Sequence, residues 1–143
     1  MGISNAIVIG GGIGGLAAAA ALSRRGMAVT LLEQAPAITE VGAGLQISPN
    51  GIAVLRAMGL DAKLTERAAV RGQAVVLQDY KAGARVARLD LMRGQGAYPY
   101  MFVHRADLVD ILLGAAKRSN VTIELAAEVA EVTPGATPQL RLT

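Results

Sequence analysis

Apolar residues along this chain recur at two spacings. Residues 7–9 and 28–33 are short runs rich in branched aliphatics, as a buried parallel strand requires. Between them, residues 14–25 form an alanine-rich stretch of helical character. Arg24 and Arg25 fall in its last predicted turn, and Gly26 follows as a C-terminal cap. Such a helix rises roughly 18 Å at ~1.5 Å per residue. The following strand returns roughly 20 Å at ~3.3 Å per residue. The lengths match, so residue 33 is predicted at the same end of the sheet as the start of the helix.

Further along, residues 34–44 lack periodicity and predict a loop, and 45–47 a short extended piece. Ser48 then reads as the N-cap of a helix with Pro49 at its first position. Ile52, Val54, Leu55 and Met58 supply the apolar stripe, and Gly59 ends it. Asp61 is the predicted N-cap of a short helix over 62–66. Residues 73–80 and 85–91 read as two strands of a hairpin turning through Gly83. Val86 and Leu89 fall on different faces of the second arm, so its register stays open. A loop over 93–100 precedes a helix over 105–118. There Leu108, Ile111, Leu112, Ala115 and Ala116 make one face at i, i+3, i+4, i+7 and i+8. Asp107 and Asp110 near its start, and Lys117 and Arg118 near its end, agree with the helix dipole. Short strands are predicted at 121–125, 128–133 and 139–142, with a turn over 134–138. The fold class is α/β: a Rossmann-like domain with a parallel sheet and a β-hairpin excursion. The last strand presents a free edge, which needs a cover. The predicted topology is therefore incomplete, with a C-terminal part or a second copy needed to close it.

The first strand runs into five glycines in six positions. Gly10, Gly12 and Gly15 satisfy G-x-G-x-x-G, and Glu33 follows after roughly 20 residues, where a ribose-binding acid is expected. Gly10 permits the tight turn, Gly12 lets a pyrophosphate approach the backbone, and Gly15 lets the helix lie close on the strand. A carboxylate at 33 can accept from both ribose hydroxyls and repels a 2′-phosphate. The plainer alternative is a glycine-rich βαβ unit with a solvated glutamate.

Composition narrows the picture. With 52% hydrophobic residues and mean hydropathy +0.42, disorder is excluded, and 143 residues amount to one domain. The net charge of +3 gives a pI near 9.7. The cations are nevertheless scattered, none of their runs exceeds Arg24–Arg25, and aromatics do not interleave with them. Nucleic acid is thus not an expected partner. There is no cysteine, so disulfides and thiolate metal sites are ruled out. Glycines interrupt the apolar start before it could span a membrane, and a cytoplasmic protein is expected. No metal-ligand set and no catalytic nucleophile stand out. His104 is the sole histidine and a candidate acid–base, and Tyr98 and Tyr100 are candidate pocket residues. Asp107 and Asp110 read as first-turn helix acids.

Three stretches go beyond a generic dinucleotide binder. GGGIGGLAAAAAL with LLEQ, then VGAGLQISPNGIAVLRAMGL, then HRADLVDIL at 104–112 occur in this order. Together they resemble the N-terminal region of FAD-dependent aromatic-ring hydroxylases, the single-component flavoprotein monooxygenases of salicylate hydroxylase type. The resemblance covers essentially the whole chain. It implies an FAD-binding domain of glutathione-reductase type over 1–143, with about 70–100 beginning a substrate-side sheet. It also implies that Gly10, Gly12, Ile13, Gly14 and Gly15 surround the FAD pyrophosphate and that Glu33 holds the adenosine ribose. Arg105 would reach the ribityl and phosphate region, Val129 would contact adenine through its backbone, and Ala43, Gly44 and Gln46 would run beside the flavin. Arg105 alone is an unusual cation for a helix start, which favours an anionic partner. The activity implied is hydroxylation of a small aromatic substrate with O₂ and NAD(P)H. The family's later Asp-Gly and Gly-Asp motifs do not occur here, so the chain resembles the front part of such an enzyme. Two alternatives stand beside it: a nucleotide-binding fragment without turnover, and an NAD-dependent dehydrogenase. The latter leaves 41–50 and Arg105 unexplained.

Overall fold

The computed structural model describes residues 4–39, 42–67, 69–93, 98–135 and 137–143. Val41, Gly94, Gly96 and part of the turn predicted over 134–138 lie outside the described residues. The chain divides into two compact units, Met1–Val41 with Leu108–Thr143, and Gly42–Asp107.

The first unit opens with strand β1 (Asn5–Ile9), helix α1 (Ile13–Ser23) and strand β2 (Ala28–Leu32). β1 and β2 pair in parallel, Asn5 opposite Ala28 through Ile9 opposite Leu32. Strand β8 (Thr122–Glu124) pairs in parallel on the other side of β2, giving the order β1-β2-β8. The crossover helix buries Leu16, Ala19 and Ala20, and β2 buries Val29, Leu31 and Leu32. Small residues on α1 let it lie close to the sheet. Helix α4 (Arg105–Arg118) begins in the second unit and continues into this one, with the predicted bounds. Its predicted apolar face is buried at all five positions, as is Val109. Asn120, at φ 63°, breaks the chain into β8, and β9 (Val129–Thr133) then pairs antiparallel with β10 (Gln139–Leu142).

The second unit holds a three-stranded sheet ordered β3-β7-β4, from Gly44–Ile47, Met101–His104 and Val70–Arg71. It also holds α2 (Pro49–Ala57), α3 (Asp61–Glu66), and the hairpin of β5 (Ala74–Gln78) with β6 (Arg85–Asp90). β7 pairs antiparallel with both neighbours.

Several sequence expectations need adjustment. α1 stops at Ser23, so Arg24 is its C-cap and neither arginine sits in the last turn. Gly26, at φ +86°, donates its N–H to the Ser23 carbonyl at 2.9 Å, and the helix closes two residues earlier than the composition suggests. Asp61 is the first residue of α3, and Leu60 occupies the cap. The open register of the hairpin resolves as a bulge: Leu77 faces Ala87 and Gln78 faces Arg85, so Val86 is left over. Ile7 and Ile9 were expected in a buried strand but are 56% and 52% exposed. β1 is an edge, and Val8 points toward Gly15 at the start of α1. Ile7 and Ile9 therefore take the opposite face, which nothing in the first unit covers among the described residues.

Ser48 occupies the N-cap of α2 with Pro49 following, as predicted, but its hydroxyl donates to the Asn50 side-chain oxygen and makes no capping bond. A working serine cap contributes about 1 kcal/mol. Ser48→Ala is expected to cost well below that, about 0.5 kcal/mol or less, in urea denaturation.

Candidate functional site

The turn between β1 and α1 carries most of the predicted site residues. Gly10 sits at φ +96°, a conformation side chains disfavour, and donates its N–H to the Leu32 carbonyl at 2.7 Å. Gly12 is the N-cap of α1 and makes no side-chain cap; a Cβ there would stand in open space. Ile13, Gly14 and Gly15 form the first helical turn, and the first amide to bond within the helix is that of Leu16, to the Gly12 carbonyl at 2.9 Å. The N–H groups of that first turn have no intrahelical acceptor, which is the arrangement that binds phosphate oxygens. Gly15 approaches the strand so closely that a Cβ would lie 1.8 Å from the Gly10 carbonyl oxygen. The three glycines of the motif thus differ physically: one bends the chain, one leaves room, one allows contact.

Glu33 follows β2 directly, at the turn end of the sheet. Its Oε2 accepts from the Gly11 N–H at 2.5 Å and its Oε1 from the Ala35 N–H at 2.8 Å. These two bonds, Ala35 first, hold its carboxyl below the ordinary value of 4.5, against a smaller desolvation effect. The carboxylate is ionised and oriented. With one backbone donor on each oxygen, each retains a further acceptor direction. A vicinal diol can use both. Gly11 is the residue that sequence reasoning missed, because its role is a backbone amide, and the motif leaves that position unspecified.

Val129 begins β9 close to the same strand end. The Ala127 N–H donates to the Glu33 carbonyl at 2.9 Å and the Ala126 N–H to Ala35 at 3.0 Å, so the segment before Val129 runs along the residues after β2. Gly10, Gly12, Ile13, Gly14, Gly15, Glu33 and Val129 all belong to the first unit.

Ala43, Gly44, Gln46 and Arg105 belong to the second. Antiparallel pairing sets Gly44 opposite His104 and Gln46 opposite Phe102, and the Arg105 N–H donates to the Ala43 carbonyl at 3.1 Å. Two stretches far apart in sequence, 43–46 and 104–105, are therefore neighbours in the fold. Gln46 Oε1 accepts from the Tyr100 hydroxyl at 2.7 Å, and Tyr100 packs edge-on to Phe102, so this tyrosine braces the sheet. Tyr98, with Arg56 stacked over its ring at 5.7 Å, lines a cavity of about 160 Å³ with Ile52, Leu64 and Met101. Asp107 pairs with Arg67 at 3.6 Å across the surface. Among the described residues no charged side chain is buried and no cluster of His, Cys, Asp or Glu could hold a metal. No helix among them is long and apolar enough to cross a membrane.

A parallel βαβ unit with a glycine turn, an open helix N-terminus and an oriented acid at the second strand's end defines a dinucleotide-binding protein of α/β class. The particular family follows from comparison with known proteins. The chain belongs to the FAD binding domain family, whose model matches residues 4–141. It is 42% identical over 119 residues to 3-hydroxybenzoate 6-hydroxylase of Polaromonas naphthalenivorans (strain CJ2), covering 80% of this chain and 30% of that protein. It is 39% identical over 132 residues to 3-amino-4-hydroxybenzoate 2-monooxygenase of Streptomyces cremeus, covering 90% and 33%. Among solved structures, the tetrameric form of 2-methyl-3-hydroxypyridine-5-carboxylic acid oxygenase superposes with TM-score 0.83 at 25% identity, over 99% of this chain and 36% of that one. The p-nitrophenol 4-monooxygenase of Pseudomonas putida DLL-E4 shares the fold at TM-score 0.84 and 22% identity, over 98% and 36%. The chain thus spans 30% to 33% of the length of these curated relatives.

Proposed function

We propose that this chain is the FAD-binding portion of an NAD(P)H-dependent flavoprotein monooxygenase that hydroxylates a small aromatic or related ring compound. The single observation that carries this reading is the pairing of 43–46 with 104–105. A nicotinamide dehydrogenase needs only the βαβ unit, whereas this second constellation is the one that resembles the aromatic hydroxylases. The parallel sheet supports a domain of glutathione-reductase type over 1–143, with about 70–100 opening the substrate-side sheet. FAD, when bound, supplies the chemistry that transfers one atom of O₂ to the ring.

The chain's own residues bind and orient. The amides of Ile13, Gly14 and Gly15 suit the pyrophosphate, with Gly10 and Gly12 giving it access. The free acceptor directions of Glu33 suit the adenosine 2′- and 3′-hydroxyls, and Val129 lies where its backbone suits adenine. Arg105 suits the ribityl and phosphate oxygens, while Ala43, Gly44 and Gln46 leave a narrow, small-residue edge for the ring system. No side chain here is assigned a proton transfer. Because NAD(P)H and O₂ are consumed, we place the reaction in the cytoplasm. The exposed side chains of Ile7 and Ile9 support either further chain, as in the longer relatives, or a second copy as their cover.

The share of the relatives' length that is spanned favours a second, narrower reading of the 143 residues by themselves: nucleotide binding without turnover. Purification separates the two. A yellow protein with substrate-stimulated NAD(P)H oxidation would support monooxygenase activity in this chain; a colourless, inert one that still binds ADP would leave that activity to chains of the relatives' length. In either case Arg105→Ala should weaken FAD binding about tenfold, the size of one charge-assisted contact, and ADP by clearly less, since only FAD offers the ribityl oxygens. Equal losses for both ligands would count against the flavin assignment.

A further inference from the structure

His104 ends β7 and is exposed, so burial does not explain where its ring lies. The imidazole rests on the backbone of Gly42: a Cβ built at that glycine would stand 2.0 Å from Nε2 and 2.1 Å from Cε1. No side chain fits at 42 unless the ring leaves. One residue further on, the Ala43 carbonyl accepts from the Arg105 N–H at 3.1 Å, and Gly44 then enters β3 opposite His104. Two consecutive residues, His104 and Arg105, therefore hold three consecutive ones, the first by ring packing and the second by a backbone hydrogen bond. A segment with glycines at 42 and 44 has an unusually large conformational freedom to lose. A flat ring lying on Gly42 restricts that freedom at the first residue of the segment and adds dispersion contact there.

We propose that His104 is a positioning residue whose ring clamps Gly42–Gly44, so that Ala43 and Gly44 are held in place for the flavin; its imidazole chemistry is not used. The flavin clause rests on the function proposed above, but the clamp itself is a property of the second unit and can be read without any ligand.

The test uses the full 143-residue chain and four variants: His104→Phe, His104→Ala, Gly42→Ala, and the last two combined. Hydrogen exchange of the Arg105 amide, followed by NMR, reports the clamp, and FAD titration reports its consequence. His104→Phe keeps a flat ring and should stay within about twofold of the parent in both measurements. His104→Ala and Gly42→Ala should each speed exchange and weaken FAD by roughly three- to tenfold, and the double variant should be no worse than His104→Ala alone, since the two residues act as one contact. A His104→Phe variant as impaired as His104→Ala would overturn the proposal, because the ring nitrogens would then matter. Additive losses in the double variant would overturn it as well. If Gly42→Ala does not fold, the contrast between the two His104 variants still decides. If the parent chain binds no FAD while the exchange pattern holds, the clamp stands and its link to flavin binding in this chain is what fails.

Discussion

Gly15→Ala is expected to destabilise the chain by about 3 kcal/mol in urea denaturation and to abolish nucleotide binding under conditions where the parent binds. The added methyl group would stand 1.8 Å from the Gly10 carbonyl oxygen and 3.0 Å from its carbon. Overpacking of a core costs about 1–3 kcal/mol when side chains can turn aside. Here the obstacle is backbone, and it is anchored. Gly10 is held at φ +96°, with its N–H on the Leu32 carbonyl at 2.7 Å. Relief therefore requires α1 to move off β1, which takes the amides of residues 13–15 with it. Gly12→Ala makes the informative contrast. That position has φ −74° and nothing within 4 Å, so stability should change by no more than about 0.5 kcal/mol. Binding should still fall, because the methyl group occupies the space through which a pyrophosphate approaches. A Gly12→Ala variant that binds ADP normally would remove the diphosphate from the proposed site.

Glu33→Ala should cost about 2 kcal/mol of stability and weaken ADP more than tenfold. The stability loss arises because Gly11 is buried and its N–H loses its acceptor, a penalty of about 1–3 kcal/mol. The binding loss arises from the ribose, whose hydroxyls lose their acceptor. Protonation of the parent should reproduce part of this. The folded-state pKa of Glu33 is depressed by the Ala35 and Gly11 amides, so the folded chain binds a proton less readily than the unfolded one. Its contribution is therefore complete above the ordinary value of 4.5 and is lost as pH falls through the lower folded value. The stability difference between parent and Glu33→Ala should accordingly be constant near neutrality and shrink in acid. A difference that does not change on acidification would mean that the carboxylate is not held by these amides.

Much of the first unit was legible because its signals are local. A glycine needed for a turn, a run of alanines, and the i, i+3, i+4 spacing of Leu108, Ile111 and Leu112 each act within a few residues. α4 accordingly has the bounds that its pattern predicts. The resemblance added the meaning of 41–50 and 104–112, since periodicity alone says nothing about a flavin. β7 was not legible. Met101–His104 is four residues long, shows no alternation of apolar and polar side chains, and sits between a loop and a helix. It is a strand because β3 and β4 flank it. The two residues of β4 carry still less local signal and depend on the same pairing.

By itself, then, the sequence determined the βαβ unit, the three distinct glycine roles, the acid at the end of β2 and the family to which they belong, because each depends on neighbours along the chain. Only the tertiary structure decided that Glu33 is already held by Gly11 and Ala35, that Ile7 and Ile9 are more than half exposed, and that His104 rests on Gly42. Those are contacts between residues brought together by sheet pairing and chain reversal, and no propensity or spacing encodes the distance between two backbones.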